Sequence, residues 1–206
     1  MDNKSALLIV DMQIDFCPGG SLAVPEGDSI IPVINRYVAL FSTNRLPVIA
    51  TRDLHPPVTR HFRQFGGIWP SHCVQGRVGA GFHPDLKLPD QVVIASKGMA
   101  PDSDSYSSFE SVLESGQPLR DHLAILGVTT LYICGLATDY CVKKTSLDAL
   151  EAGFSVIILA DAVKGVDIHA GDADRALVEI AGQGGGMSDV AAIEEEFRAC
   201  RGTCTM

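Results

Sequence analysis

Apolar residues fall along this chain in two rhythms. Ala6 to Val10 is an unbroken apolar run, and Leu131 to Cys134 and Ser155 to Ala160 read the same way. Short continuous runs suit strands buried on both faces. Pro47 to Arg52 and Gln91 to Ser96 complete a set of five. Between the strands the period becomes helical. Ile30, Ile31, Ile34, Val38 and Phe41 predict a helix from Asp28, a candidate N-cap, to about Asn44. Pro32 falls in its first turn, where the missing N–H costs little. Further helices are predicted at Pro118 to Leu126, from Thr138 to a C-cap at Gly153, at Asp172 to Ala181 and at Ala191 to Ala199. Gly182-Gln-Gly-Gly-Gly186 leads to a short last strand.

Strands that alternate with helices predict an α/β fold. The expectation is an open, mainly parallel sheet of about six strands with helices on both faces, in three layers. Right-handed crossovers put every strand's carboxyl end along one edge, where open sheets of this kind bind ligands. With no internal repeat and no linker, residues 1–206 are expected to form one domain. Two polar irregular stretches interrupt the pattern, Leu54 to Asp90 and Lys97 to Ser108. Structureless segments of such length inside a compact domain are usually functional or disordered.

The residues closing the strands carry the chemistry. Asp11, Asp53, Lys97, Cys141 and Asp161 each stand at or just beyond the end of a different strand, so this topology predicts that they converge. Cys141 lies in Gly135-Leu-Ala-Thr-Asp-Tyr-Cys141. With Thr138 as N-cap it takes the third helical position, facing unpaired N–H groups and the positive end of the helix dipole. Both favour the thiolate, the nucleophilic form. Asp11 could accept the thiol proton and later deliver it to a leaving group, with Lys97 holding Asp11 ionised. Singly, each has a structural alternative: a strand-end Asp as turn residue, a helical Cys as inert packing, an isolated Lys as a solvated charge.

A second cluster is Asp53-Leu-His55, with His61 and His72 downstream in the same irregular stretch. Residues two apart in extended chain point the same way, so Asp53 and His55 could share a metal. Imidazole with carboxylate suits Zn²⁺, Fe²⁺ or Mn²⁺ better than Ca²⁺ or Mg²⁺. A lone Asp-x-His is more often structural, and the two further histidines strengthen the metal reading. His83 and His122 are weaker ligand candidates, His122 reading as a helix-surface residue and His169 as a loop or helix-cap residue; Cys134 reads as core, Cys17 and Cys73 as loop residues without a role, and Cys200 and Cys204 as part of the tail.

Composition narrows the partners. Hydrophobic residues make up 46% of 206, enough for a substantial core, and charged residues 20%. A formal net charge of −9 with scattered Lys and Arg argues against nucleic acid and anionic membranes. Asp11 ends the first apolar run too early for a signal peptide or a membrane span. The six cysteines form no Cys-x-x-Cys pair, so reduced thiols in the cytoplasm are expected.

Five segments together resemble the nicotinamidase/pyrazinamidase family within the isochorismatase-like cysteine hydrolases. They are Ile9-Val-Asp-Met-Gln-Ile-Asp-Phe-Cys-Pro-Gly-Gly20, Thr51-Arg-Asp-Leu-His-Pro56, Trp69-Pro-Ser-His-Cys-Val-Gln-Gly76, Lys97-Gly98 with Asp104-Ser-Tyr-Ser107, and Gly135 to Cys141. The resemblance implies that Cys141 attacks the carboxamide of nicotinamide, that Asp11 is the acid/base and that Lys97 completes the triad. It implies an oxyanion hole from the backbone N–H groups of Ala137 and Cys141, beside a cis peptide joining Leu136 to Ala137. Phe16, Trp69 and Tyr106 would contact the pyridine ring. Asp53, His55 and His72, with His61 as a further ligand, would hold one divalent transition metal in a loop insertion at about 53–90. No organic cofactor is implied. The products are nicotinate and ammonia, in NAD salvage, and pyrazinamide is expected as a second substrate. Two alternatives stay open: a sibling hydrolase of another small amide, N-carbamoyl compound or isochorismate, and a non-catalytic binder on the same fold. Assembly into homo-oligomers is also open, and the region after Asp161 carries no assignment.

Overall fold

The computed structural model describes residues 3–202, the side chains only as far as 199; the thiols of Cys200 and Cys204 lie outside the described residues. Seven strands form one sheet: β1 (Ser5–Val10), β2 (Val48–Asp53), β3 (Val93–Lys97), β4 (Val112–Leu113), β5 (Thr130–Leu136), β6 (Ser155–Lys164) and β7 (Gly186–Ser188). Their order is β4-β3-β2-β1-β5-β6-β7. All neighbours are parallel except β4, which runs antiparallel to β3. β4 is not among the expected strands, because two residues are too short to display a period.

Helices α1 (Ile31–Thr43) and α5 (Val190–Gly202) cover one face, and α2 (Leu119–Ile125), α3 (Lys143–Glu151) and α4 (Asp172–Gly182) the other. The alternating side chains of β1 divide accordingly. Leu7 and Ile9 join Ile34, Phe41 and Phe197 on one side, while Ala6, Leu8 and Val10 join Leu119, Leu123 and Ile180 on the other. All six residues of β1 are buried, as a central strand requires. Among the described residues no helix is long and apolar enough to cross a membrane.

Two helix starts differ from expectation. Asp28 lies in a short 3-10 turn, Gly27–Ile30, and α1 begins beyond it with Pro32 in its first turn. Thr138 does not cap α3: residues Thr138–Val142 form a π-helical turn entered from Ala137, and the α-helix starts at Lys143.

Chain direction in the sheet decides where a site can form. The chain steps outward from β1 through β2 to β3, then returns to the opposite flank of β1 as β5. The reversal opens a crevice between the carboxyl ends of β1 and β5, the usual ligand position in such sheets. Gly135 makes the close approach there. Its φ is 110°, and a Cβ would collide with the backbone of Val10.

Candidate active site

Asp11, Lys97 and Cys141 meet over this crevice. Asp11 follows β1 with φ at 50°, a turn of the backbone that ends the strand. Lys97 is the last residue of β3, in register with Asp53 of β2. Cys141 projects from the π-helical turn after β5. Lys97 Nζ lies 2.9 Å from Asp11 Oδ2 and 3.5 Å from Cys141 Sγ, and it also ion-pairs with Asp53 Oδ1. All four side chains are buried. The peptide joining Leu136 to Ala137 is cis.

Burial sets the protonation states. Lys97 is held well above its usual range, because Asp11 and Asp53 outweigh the cost of burying its charge. Burial alone would raise Asp53, but Lys97 and His55 together keep it well below the carboxylate range. Asp11 is raised by burial and by the charge of Asp53, against the pull of Lys97. The Cys141 thiol is pushed well above its usual range by burial, with the carboxylates adding to the effect and Lys97 opposing it. This corrects the thiolate expected from a helix terminus. The resting sulfur holds its proton, and a carboxyl group of raised basicity lies close enough to take it: ligand atoms of Asp11, Asp53 and Cys141 all fall within 4.8 Å of one another.

Side chains from other elements hold the set in place. Thr51 Oγ1 donates to Asp11 Oδ1 at 2.8 Å. A buried chain of hydroxyls continues from Thr51 through Ser108 to Thr145 of α3. Gln13 clamps the backbone of Asp53, accepting from its N–H at 2.8 Å and donating to its carbonyl at 2.8 Å. Neither Thr51 nor Gln13 stood out in the sequence, although both lie inside segments that carried the resemblance.

His55, His61 and His72 form the second cluster, their ligand atoms within 4.8 Å of one another. Backbone pairing draws the irregular stretch together: His55 N–H donates to Cys73 O, and Gln75 N–H to His55 O, both at 2.9 Å. Each ring directs Nδ1 at an acceptor. His55 Nδ1 meets Gly98 O at 2.9 Å, His72 Nδ1 meets Pro70 O at 2.7 Å, and His61 Nδ1 meets Asp104 Oδ1 at 2.5 Å. These oxygens only accept, so each Nδ1 carries a proton, and in a neutral ring Nε2 then keeps its lone pair. Gly98 permits the His55 contact: its φ is 68°, and a Cβ would stand 2.5 Å from the ring.

Burial lowers His61 and lowers His72 to about 4, so both are neutral near pH 7. His55 Nε2 is buried without a hydrogen-bond partner, 3.7 Å from Asp53 Oδ2. Three converging imidazoles, one with an orphaned buried nitrogen, and an adjacent carboxylate fit a divalent transition metal.

A cavity joins the two clusters. About 470 Å³ of space between atoms lies within it, open solvent included. Cys141, Ala137, Asp53, His61 and His72 reach it, with Phe16, Trp69 and Tyr106 as aromatic walls. Trp69 Nε1 donates to Tyr106 Oη at 2.9 Å. Tyr140, Leu22, Val24 and Val166 also line it and were not foreseen. Val166 is held by Asp139, whose carboxylate accepts from the N–H groups of Val166 and Asp167.

Asp161 does not converge with the other strand-end residues. β6 continues to Lys164 after a register shift, so Asp161 lies within the strand. Its carboxylate accepts from Tyr37 Oη at 2.7 Å and from Val190 N–H at 3.0 Å, joining α1 to the start of α5. Cys134 is buried in the core, and Cys17 and Cys73 are buried free thiols.

The chain matches the isochorismatase domain model over residues 5–192 and belongs to that family. It is 39% identical to the nicotinamidase of Escherichia coli (strain K12), an alignment covering 92% of this chain and 97% of that one. The zinc complex of the pyrazinamidase of Pyrococcus horikoshii superposes with a TM-score of 0.84 at 47% identity, covering 90% of this chain and 99% of that one. An L. infantum protein solved with nicotinate gives a TM-score of 0.82 at 34% identity, covering 93% and 96%.

Proposed function

We infer that this member of the isochorismatase family is a nicotinamidase. It hydrolyses nicotinamide to nicotinate and ammonia, the deamidation that returns the pyridine ring to NAD synthesis, and it accepts pyrazinamide as an isostere. One observation carries the reading: Cys141, grouped with the buried Asp11 and Lys97, lines the same aromatic-walled cavity as Asp53, His61 and His72 of the imidazole cluster. The likeness to the E. coli nicotinamidase and to the nicotinate-bound protein supports it.

The residues take the following roles. Asp11 removes the Cys141 proton as sulfur attacks the carboxamide carbon. Lys97 stays protonated throughout and holds Asp11 beside the sulfur. The oxyanion is received by the N–H groups of Ala137 and Cys141, and preorganised donors of this kind supply much of the barrier lowering in acyl transfer. Asp11 passes its proton to the amide nitrogen, ammonia leaves, and a thioester remains. Asp11 then deprotonates water, which attacks the thioester carbon. The tetrahedral intermediate expels sulfur, the proton returns to Cys141, and nicotinate departs. Phe16, Trp69 and Tyr106 hold the ring.

Asp53, His55, His61 and His72 would hold the metal. Zinc is favoured by the zinc complex of the P. horikoshii relative, and the ion would supply a Lewis-acid anchor for the pyridine nitrogen. A reducing compartment, the cytoplasm, suits an enzyme that depends on a free thiol.

Ammonia release from nicotinamide tests the reading, with Cys141→Ala as control. Turnover by the wild type that disappears in the variant is expected. No turnover by the metal-loaded wild type, or equal turnover by both, would overturn it.

A further inference from the structure

The three imidazoles are oriented by unlike partners. His55 and His72 are fixed by backbone carbonyls, of Gly98 and Pro70, which their loops hold in position. His61 alone is oriented by a carboxylate, that of Asp104, at 2.5 Å. His61 is buried, with 4% of its side chain exposed, while Asp104 is 53% exposed. A half-solvated carboxylate thus reaches in to a buried ring.

The two partners come from segments that are joined side by side. Arg60 N–H donates to Pro101 O at 2.9 Å, Thr59 Oγ1 donates to the same carbonyl at 3.1 Å, and Arg60 Nε lies 3.4 Å from Asp102. Immediately beyond Asp104, Ser105 O lies 3.5 Å from Lys97 Nζ, and Tyr106 Oη accepts from Trp69 at the cavity wall. Asp104 is therefore a second point, beside Gly98, at which the loop carrying Tyr106 grips the histidine cluster, and the one at which a side chain does so.

We propose that Asp104 is the positioning residue that makes His61 a metal ligand, fixing its Nδ1–H tautomer and turning Nε2 toward His55 and His72. The inference rests on reading that cluster as an ion site. A carboxylate behind an imidazole fixes the ring and raises the basicity of the ligating nitrogen, and losing such a partner typically weakens metal affinity 10–100-fold. Asp104 belonged to a segment that carried the resemblance but received no role there. It lies 43 residues from His61, so only the folded chain reveals the pairing.

The test is zinc affinity by competition with a chromogenic chelator. The proteins compared are the wild type, Asp104→Ala, Asp104→Asn, His61→Ala and the Asp104→Ala/His61→Ala double variant. Asp104→Ala should weaken zinc about 10–100-fold. Asp104→Asn, which keeps an acceptor but not the charge, should fall between it and the wild type. The double variant should bind no more weakly than His61→Ala alone. In the metal-free protein, ¹⁵N resonances of the His61 ring should show one tautomer in the wild type and a mixture in Asp104→Ala, a signature that a merely structural role would not move. Asp104→Ala binding zinc within about twofold of the wild type would overturn the proposal, taking about tenfold as the smallest effect such a partner has. So would an equal loss whether or not His61 is present, or a wild type that binds no zinc. These readouts do not involve nicotinamide, so failure of the amidase assay with zinc behaviour as expected would count against the substrate alone.

Discussion

Asp53 divides its carboxylate between two neighbours: one oxygen pairs with Lys97 Nζ, and the other lies 3.7 Å from His55 Nε2. A single side chain thus serves the ammonium beside the nucleophile and the imidazole cluster beside it. Asp53→Asn keeps the shape and removes the charge. It should weaken zinc binding and also lower kcat in enzyme saturated with zinc, because Lys97 loses one of its two anions. His72→Ala, which does not touch Lys97, should lower zinc affinity and raise KM while leaving more of kcat. Chelator competition with ammonia-release kinetics separates the cases. If both variants regain full kcat at saturating zinc, Asp53 does not couple the two clusters.

Lys97 is 1% exposed and supplies the charge that Asp11 and Asp53 both face. Lys97→Met should abolish turnover and leave two carboxylates close together and buried. Breaking a buried pair in this way costs about 3–5 kcal/mol, which urea denaturation at pH 7 would register. Asp11, already raised by burial, should then take up a proton readily, so the deficit should shrink as the pH falls toward 4. A wild-type urea midpoint at pH 7 would contradict the account.

The ion-free protein should lose stability in mild acid. His72 is lowered to about 4 in the folded chain by burial, against an ordinary value of 6.5. Between these values the unfolded chain binds a proton that the folded chain refuses, so stability is full above about 6.5 and falls as the pH drops toward 4. By that linkage, His72 alone makes the protein on the order of 2 kcal/mol less stable at pH 5 than at pH 8. Urea midpoints of the chelated protein at the two pH values measure this, and His72→Ala should reduce the difference. An unchanged difference in the variant would mean that another group is responsible.

Tyr106→Phe removes the acceptor of Trp69 Nε1 and leaves both rings at the cavity wall. One neutral hydrogen bond contributes about 1 kcal/mol, so KM for nicotinamide should rise roughly fivefold with kcat little changed. A fall in kcat with constant KM would assign Tyr106 to the reacting atoms and not to ring placement.

The thiol expectation shows why local sequence was not enough. Gly135 to Cys141 identified a cysteine after a strand, but the dipole argument supposed an α-helix capped by Thr138. The chain instead makes a π-helical turn, and Cys141 faces two carboxylates brought by β1 and β2. Burial of the thiol, with those long-range carboxylates adding to it, outweighs the helix end. Asp161 failed for a related reason. The end of a strand is set by its partner's register, and β6 runs four residues past the apolar run that announced it.

Sequence by itself determined the alternating strands and helices, because apolar period is a local property that burial on one or two faces imposes on every element. With strand direction added, it also brought out Asp11, Asp53, Lys97 and Cys141, since parallel strands must end on one edge. Only the tertiary structure decided which atoms touch: Thr51 on Asp11, Gln13 on Asp53, Asp104 on His61 and Val166 at the cavity wall. Each such contact joins segments far apart in the chain. Hydrogen bonding and desolvation depend on ångström-scale distances that the order of residues does not encode locally.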